Sequence, residues 1–429
     1  MKQVKFQSPT GMHDILPEDQ KYYQKIYEVV SEIADFYGFG KIDTPMLEDA
    51  ELFSKGVGLT TDIVKKEMFS FRTKGGDFLA LRPEWTAPIV RSYIEHGMQN
   101  RPHPLKLWYF GPCFRYEHPQ SGRFRQFWQF GFEVLGEEGA VVDAQIIQIF
   151  YNILKELKLK NLIVEVNSIG DNQCRPYYKK ILANYFRTRE ASLCSDCRKR
   201  VRENVLRILD CKEEKCQPIK SEAPQILDHL CDACKAHFKE VLEFLEAAEI
   251  PYNLNSYLVR GLDYYTRTVF EIFHENQDKK DEEAKIALVG GGRYDKLVRL
   301  LGGKDVPACG AAAGVERLIR LMQVQDIKFP QKPEPQVFLA QLGNLAKRKS
   351  LKLLEDFRKA NVDIAESFGR DSLKAQLNRA DKINARYTLI IGQQEALEDS
   401  IIIRDMETGK QDIVKLAKVV DEIKKRLRK

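Results

Sequence analysis

The stretch FRYEHPQSGRFRQFWQFGFE, running from Phe114 to Glu133, decides the fold. In its second half, side chains alternate with a period of two, so Gln129, Gly131 and Glu133 share one face of a strand while Trp128, Phe130 and Phe132 share the other. One face packs on a core and the other carries polar groups. The upstream segment LKLWYFGPCFRYE reads as a second strand, and the polar, glycine-containing HPQSGRFR between the two is a hairpin-type connection. Alternation also places Arg115 and Glu117 on a single face, and the hairpin can bring the two polar faces together. An antiparallel sheet with fixed charges on its floor is expected. Glu133 on such a rigid strand suits an ammonium or imidazole group, and the forked donors of Arg115 suit a carboxylate or phosphate.

Working outward, Tyr22, Ile26, Val29, Ile33 and Phe36 recur at helical spacing between Glu18 and Tyr37, with Gly38 placed to end the helix. KIDTPMLE reads as a strand broken by Pro45, and FLALRPEWTAP as a strand leading into a helix. A helix over 141–157 precedes the strand LIVEVNSIGD. A cysteine- and charge-rich helical stretch, 172–250, then interrupts the β pattern as an insertion. Strands resume in LVRGLDYYTRTVFEIF and IALVGGGRYD, and the small-residue run from Cys309 to Arg317, CGAAAGVER, is expected to open a helix whose small residues suit packing on the sheet, close approach of a ligand or partner, or both. This makes an α+β domain over 1–330. The prolines of FPQKPEPQ mark a boundary. Beyond it, 331–429 reads as a small α/β domain with strands at Val337 to Gln341, Tyr387 to Ile391 and Ile401 to Arg404, closed by a helix carrying Ile413, Leu416, Val420, Ile423 and Leu427 on its buried face.

A length of 429 residues fits two or three domains, and 43% hydrophobic with 30% charged residues excludes a largely disordered or collagen-like chain. There is no run of about 18 apolar residues and no apolar signal core, so a membrane span is not expected and the expected compartment is the cytoplasm. The net charge of +6 is unevenly spread: residues 331–429 hold 21 Lys and Arg against 15 Asp and Glu, leaving 47 against 47 in the rest. A basic end domain suits an anionic partner such as RNA, and suits a solvated terminal helix equally. Neither a phosphate-cradling P-loop motif nor a dinucleotide-binding glycine fingerprint is present. Arg260, Arg293 and Arg317, each near glycines where backbone approaches closely, point instead to polyphosphate held on another scaffold.

Taken together these segments resemble the histidyl-tRNA synthetase family of class II aminoacyl-tRNA synthetases, along nearly the whole chain. TPMLE resembles motif 1, FRYEHPQSGRFRQFWQFGFE motif 2 and GAAAGVERL motif 3 of the class, while LRPEWTAP, LVRGLDYYTRTVFE and GGGRYDKL resemble sequences that mark the histidine enzymes. The resemblance implies an antiparallel-sheet catalytic domain with a helical insertion, a C-terminal anticodon-binding domain and a homodimer. It implies ATP-dependent activation of L-histidine and transfer to the 3′ end of histidine tRNA, with Mg2+ accompanying ATP. Glu84, Trp85, Thr86, Arg115, Gln129, Glu133, Arg260, Tyr264 and Tyr265 would form the histidine pocket, and Arg115, Arg123 and Arg317 would bind ATP. Arg115, Arg260 and Arg317 would stabilise the reaction centre, and Gln120 and Arg123 would contact the tRNA acceptor end. Trp85 stands where the family has a small residue, and its indole either points outward or narrows the site. His118 stands where the family has an arginine.

The nine cysteines, in a chain expected to be cytoplasmic, read as thiols or metal ligands. Cys194 with Cys197, and Cys231 with Cys234, form two C-x-x-C pairs, which a helical insertion can join into one four-cysteine site for a structural Zn2+. His229 and His237 are nearby substitutes for a ligand, and read more simply as ordinary helix residues. Other functions share parts of this pattern: a synthetase-like regulatory subunit of histidine biosynthesis lacks the tRNA domain, a tRNA-sensing module degrades the motif arginines, and a general RNA-binding protein has no amino-acid-dependent use of ATP.

Overall fold

The computed structural model describes residues 6–117, 123–275, 285–329, 334–369 and 372–428. The chain divides into two compact units, Met1–Phe329 and Pro330–Lys429. The first is built on an eight-stranded sheet in the order Gly40–Lys41, Leu105–Phe114, Gln126–Leu135, Ala308–Gly314, Lys285–Arg293, Thr266–Glu275, Leu162–Ser168 and Tyr252–Leu254. Its six long strands pair antiparallel, and only the two short edge strands pair parallel.

Alternation along Gln126–Leu135 sends Phe130 and Phe132 into a core shared with the helices Pro17–Phe36, Ala140–Glu156 and Val315–Val324. Ile26, Val30, Ile147, Phe150, Leu318 and Met322 fill the space between these helices and the sheet, all essentially inaccessible to solvent. Each such apolar side chain contributes about 1.5–3 kcal/mol through burial, so this face holds the sheet together. On the opposite face the register aligns Gly111 with Gln129, Gly131 with Tyr109 and Ala312, and Gly310 with Glu133 and Gly292. That face is therefore poor in side chains of its own.

The small-residue run behaves differently from the sequence expectation. Ala308–Gly314 is a strand, and the helix begins only at Val315. Small residues are required because the run is the sheet's central strand, with Gln126–Leu135 and Lys285–Arg293 on either side and Ala311 and Ala313 in the core.

Between 172 and 250 the chain forms Arg175–Arg187, Ser195–Glu203, short turns and Asp232–Ala247. The last helix packs Phe238, Val241 and Leu245 into the core of the sheet, while Tyr178, Leu182, Phe186 and Val201 join a second core containing Trp85 and Tyr109. The segment thus does not separate from the first unit.

The second unit carries a five-stranded sheet ordered Ile364–Glu366, Val337–Gln341, Tyr387–Ile391, Ser400–Asp405 and Gln411–Lys415, parallel in its first three strands and antiparallel in its last pairings. Its final helix is shorter than the periodicity predicts. Ile413 lies in the edge strand and is 71% exposed, and the helix runs from Val419 to Leu427. At an edge strand one face remains open, so an apolar spacing compatible with a helix also fits the strand, turn and helix seen here.

Candidate active site

On the glycine-rich face lies a cavity of about 200 Å3. The hairpin supplies Tyr109, Arg115, Glu117, Arg123, Phe127 and Gln129; the segment after Leu81 supplies Glu84, Trp85 and Thr86; residues 260–271 supply Arg260, Tyr264, Tyr265 and Glu271; and the start of the helix Val315–Val324 supplies Glu316 and Arg317. Side chains can lie flat here because glycines opposite them leave the floor open. A Cβ on Gly111 would meet the indole of Trp85, one on Gly131 the hydroxyl of Tyr109, one on Gly290 the guanidinium of Arg260 and one on Gly310 the carboxylate of Glu133.

Four cations converge. Arg115 is aimed by its Nε, which donates to the Pro83 carbonyl at 2.9 Å, and Arg317 by its Nη1, which donates to Ala287 O at 2.8 Å. Arg260 is paired with Glu271, and its Nε is buried without a partner. Arg123 donates to Glu117 at 3.4 Å. Burial and then the neighbouring charges of Arg123, Arg115 and Arg260, opposed by Glu117, hold the Arg317 guanidinium below its ordinary range, which is what a site awaiting an anion produces.

A polar network adjoins them. Glu84 accepts from the backbone N–H groups of Thr86 at 2.7 Å and Ala87 at 2.9 Å, which fixes the start of the helix Thr86–Glu95. The Thr86 hydroxyl donates to Glu133 at 2.7 Å, and Tyr294 donates to its other oxygen at 2.5 Å. Glu133 is 1% exposed and sits beneath the cavity wall, with burial pushing its carboxyl up to about 8 against the two donors. Burial raises Glu84 too. Tyr264 and Tyr265 stand side by side, their ring centroids 4.7 Å apart.

Trp85 points neither outward nor alone into the cavity. It is 1% exposed, stacks on Tyr109 with centroids 4.7 Å apart and carries the Arg82 guanidinium 3.4 Å over its other side. Arg293, read from sequence as an anion binder, is wholly buried elsewhere: it donates to Asp143 at 2.6 and 3.0 Å and to the carbonyls of Glu137 and Gly139. His237 is likewise turned inward, its Nε2 bonded to Asp143 at 2.8 Å, and is no metal ligand. The zinc expectation also changes. Cys194 and Cys197 gather with Cys211 and Cys216, whereas Cys231 and Cys234 gather with Asp171 and Cys174, because the two C-x-x-C pairs start different helices. Cys113, pushed up to about 12 by burial, has no thiolate character. Gln120 and His118 lie outside the described residues. Tyr109, Glu271, Glu316 and Tyr294 were not singled out by sequence; only the period-two alternation across the paired strands signals Tyr109 and Glu271.

An antiparallel sheet presenting motif arginines and a buried polar network at one cavity, followed by a separate small α/β unit, defines a class II aminoacyl-tRNA synthetase. Residues 11–318 match the histidyl-tRNA synthetase family and 336–426 the anticodon binding domain. A histidine--tRNA ligase of Dehalococcoides mccartyi is 45% identical, covering 98% of this chain and 100% of its own, and one of Caldicellulosiruptor saccharolyticus is 43% identical over 99% and 100%. The apo histidyl-tRNA synthetase of S. aureus superposes with a TM-score of 0.79 at 34% identity, covering 97% of this chain and 99% of that one. The chain belongs to the histidyl-tRNA synthetase family and is an aminoacyl-tRNA ligase.

Proposed function

We propose that the cavity activates L-histidine with ATP and passes the histidyl group to the 3′ end of histidine tRNA, using residues as follows. Glu84, Thr86, Gln129, Tyr264 and Tyr265 receive the amino acid, with Glu133 ordering Thr86 and supplying negative charge when a cationic group of histidine enters. A substrate without ring nitrogens leaves buried polar atoms unpaired there, which discriminates strongly against it. Arg115 bridges the histidine carboxylate and the α-phosphate, Arg317 and Arg123 hold the outer phosphates, and Arg260 faces the α-phosphate. The carboxylate attacks the α-phosphorus in line as the bond to pyrophosphate breaks, and the chain contributes positioning and charge stabilisation. Mg2+ enters as the companion of ATP, and Glu117 and Glu271 are carboxylates that the cavity offers it.

The observation that carries this reading is the convergence of Arg115, Arg123, Arg260 and Arg317 on the cavity that also holds Glu84 and Thr86. The basic unit Pro330–Lys429 is suited to the tRNA anticodon and Arg123 to its acceptor end. A cytoplasmic location goes with that substrate. A homodimer is supported by the exposed apolar side chains Met46, Leu47, Phe71 and Phe78 on and beside the small sheet Leu47–Asp49, Phe78–Leu81, Ser70–Arg72. Among the described residues no helix is long and apolar enough to cross a membrane. The test is ATP–pyrophosphate exchange with each of the twenty amino acids. Exchange with histidine alone is expected, and a folded protein that exchanges with none overturns the reading.

A further inference from the structure

All seven cysteines between 174 and 234 fall into two clusters, remote in sequence from the motifs of the cavity. In the first, the sulfurs of Cys194, Cys197, Cys211 and Cys216 lie within 4.8 Å of one another, and all four residues are buried. Cys194 and Cys211 are 3.9 Å apart. Four thiolates held at about 2.3 Å from a tetrahedral zinc stand about 3.8 Å apart, whereas a disulfide requires about 2.05 Å. Backbone N–H groups already point at sulfur: Cys197 N donates to Cys194 Sγ and Cys194 N to Cys216 Sγ, each at 3.3 Å. Cys194 caps the helix Ser195–Glu203, so both members of the pair sit at the positive end of its dipole.

The second cluster joins Asp171, Cys174, Cys231 and Cys234, again within 4.8 Å. Cys174 and Cys234 are 3.9 Å apart, and Asp171 Oδ1 lies 3.7 Å from Cys174 Sγ and 4.0 Å from Cys231 Sγ. For a carboxylate oxygen at about 2.1 Å and sulfur at about 2.3 Å from one tetrahedral ion, the expected separation is about 3.6 Å. Apolar packing explains buried cysteines singly. It gives no reason for seven to converge on two points, or for a carboxylate to face three thiols.

We propose that this segment binds two Zn2+ ions, one through Cys194, Cys197, Cys211 and Cys216 and the other through Asp171, Cys174, Cys231 and Cys234. Tetrahedral sulfur-rich donor sets select zinc over hard cations. The first ion staples together the short helices and turns between Ser195 and Gln217. The second ties the end of the strand Leu162–Ser168 to the start of Asp232–Ala247. Its neighbours reach the active-site wall: Arg175 Nη1 donates to the Tyr265 carbonyl at 2.5 Å, and Arg267 N donates to the Gly170 carbonyl at 2.8 Å.

Elemental analysis of the full chain, purified without chelator and passed through a weak-chelator exchange step, tests this independently of any activity. About two zinc equivalents per chain are expected, falling to about one in Cys194→Ser/Cys211→Ser and to about one in Asp171→Asn/Cys234→Ser. Because either double variant can lose its fold, the unmodified chain is also loaded with Co2+ and titrated. The visible spectrum of tetrahedral cobalt thiolate should then grow until about two equivalents are bound. No metal in the wild type, a single equivalent, iron in place of zinc, or stoichiometry unchanged in the first double variant would each overturn the proposal.

Discussion

Replacing Arg293 by methionine separates two readings of the GGGRYD segment. A phosphate-binding arginine can be truncated with little effect on folding and a large effect on ATP. The structure places Arg293 instead with its side chain wholly inaccessible, two guanidinium nitrogens on Asp143 at 2.6 and 3.0 Å and two more bonds to the carbonyls of Glu137 and Gly139. In Arg293→Met the Asp143 carboxylate loses its guanidinium and keeps His237, at 2.8 Å, while Asp295 loses its own contact to Arg293 at 3.2 Å. Removing one partner of a buried ion pair costs about 3–5 kcal/mol, because the other charge stays buried. At roughly 2 °C per kcal/mol for a large domain, the first unit should melt about 6–10 °C lower. Asp143 is held below the usual carboxylate range, where Arg293 and His237 overcome the opposing effect of burial. Its stabilisation is therefore present above the ordinary carboxylate range and is lost as pH falls through the lowered folded value. The variant's deficit should accordingly shrink in acid. Adding Asp143→Leu should restore part of the loss. Calorimetry on the wild type, Arg293→Met, Asp143→Leu and the double variant gives the coupling energy. An unshifted melting temperature together with a raised KM for ATP would refute the structural assignment.

Four further outcomes are expected. Glu133, raised to about 8 from an ordinary value of 4.5, stabilises the empty protein fully below the ordinary value and loses that contribution as pH rises toward 8. Glu133→Gln should therefore melt with a flatter dependence than wild type between pH 5 and 8, and parallel curves would contradict this. Arg317→Ala removes a charged contact to phosphate of about 1.5–3 kcal/mol, so steady-state kinetics should show KM for ATP raised about 10–150-fold with KM for histidine little changed. Gly310→Ala places a methyl group on the Glu133 carboxylate, and histidine-dependent exchange should fall steeply even if circular dichroism shows a folded chain. Thr86→Val leaves one Glu133 oxygen unbonded and should weaken histidine binding, read by calorimetric titration, while ATP binding holds.

How much of this was legible in sequence depends on which interactions are local. Period-two alternation in QFWQFGFEV located the sheet, its buried aromatic face and the cavity face bearing Gln129, because a strand's two faces follow from the chain alone. The same reasoning failed for CGAAAGVER, where small residues fit a helix start and a central strand equally until the neighbouring strands are known. The cysteine pairs were visible, but their partners were not. Cys211 and Cys216 carry no paired motif, and Asp171 and Cys174 come from before the segment's helices. Arg293 was misread because its partner Asp143 is 150 residues away. Likewise Glu316, pushed up to about 7 by burial and bonded to the backbone N–H of Trp128, gives no local signal.

The bare floor beneath the cavity has a bearing on inhibitors. A compound pressed against Gly290 and Gly310 meets backbone that resistance mutations cannot easily alter, since any added side chain there strikes Arg260 or Glu133. Escape is then left to other lining side chains, such as Leu262, Phe124 and Phe127, around the rim of that floor. A scaffold that draws its affinity from the floor and touches the rim lightly should leave a target few single-step routes out.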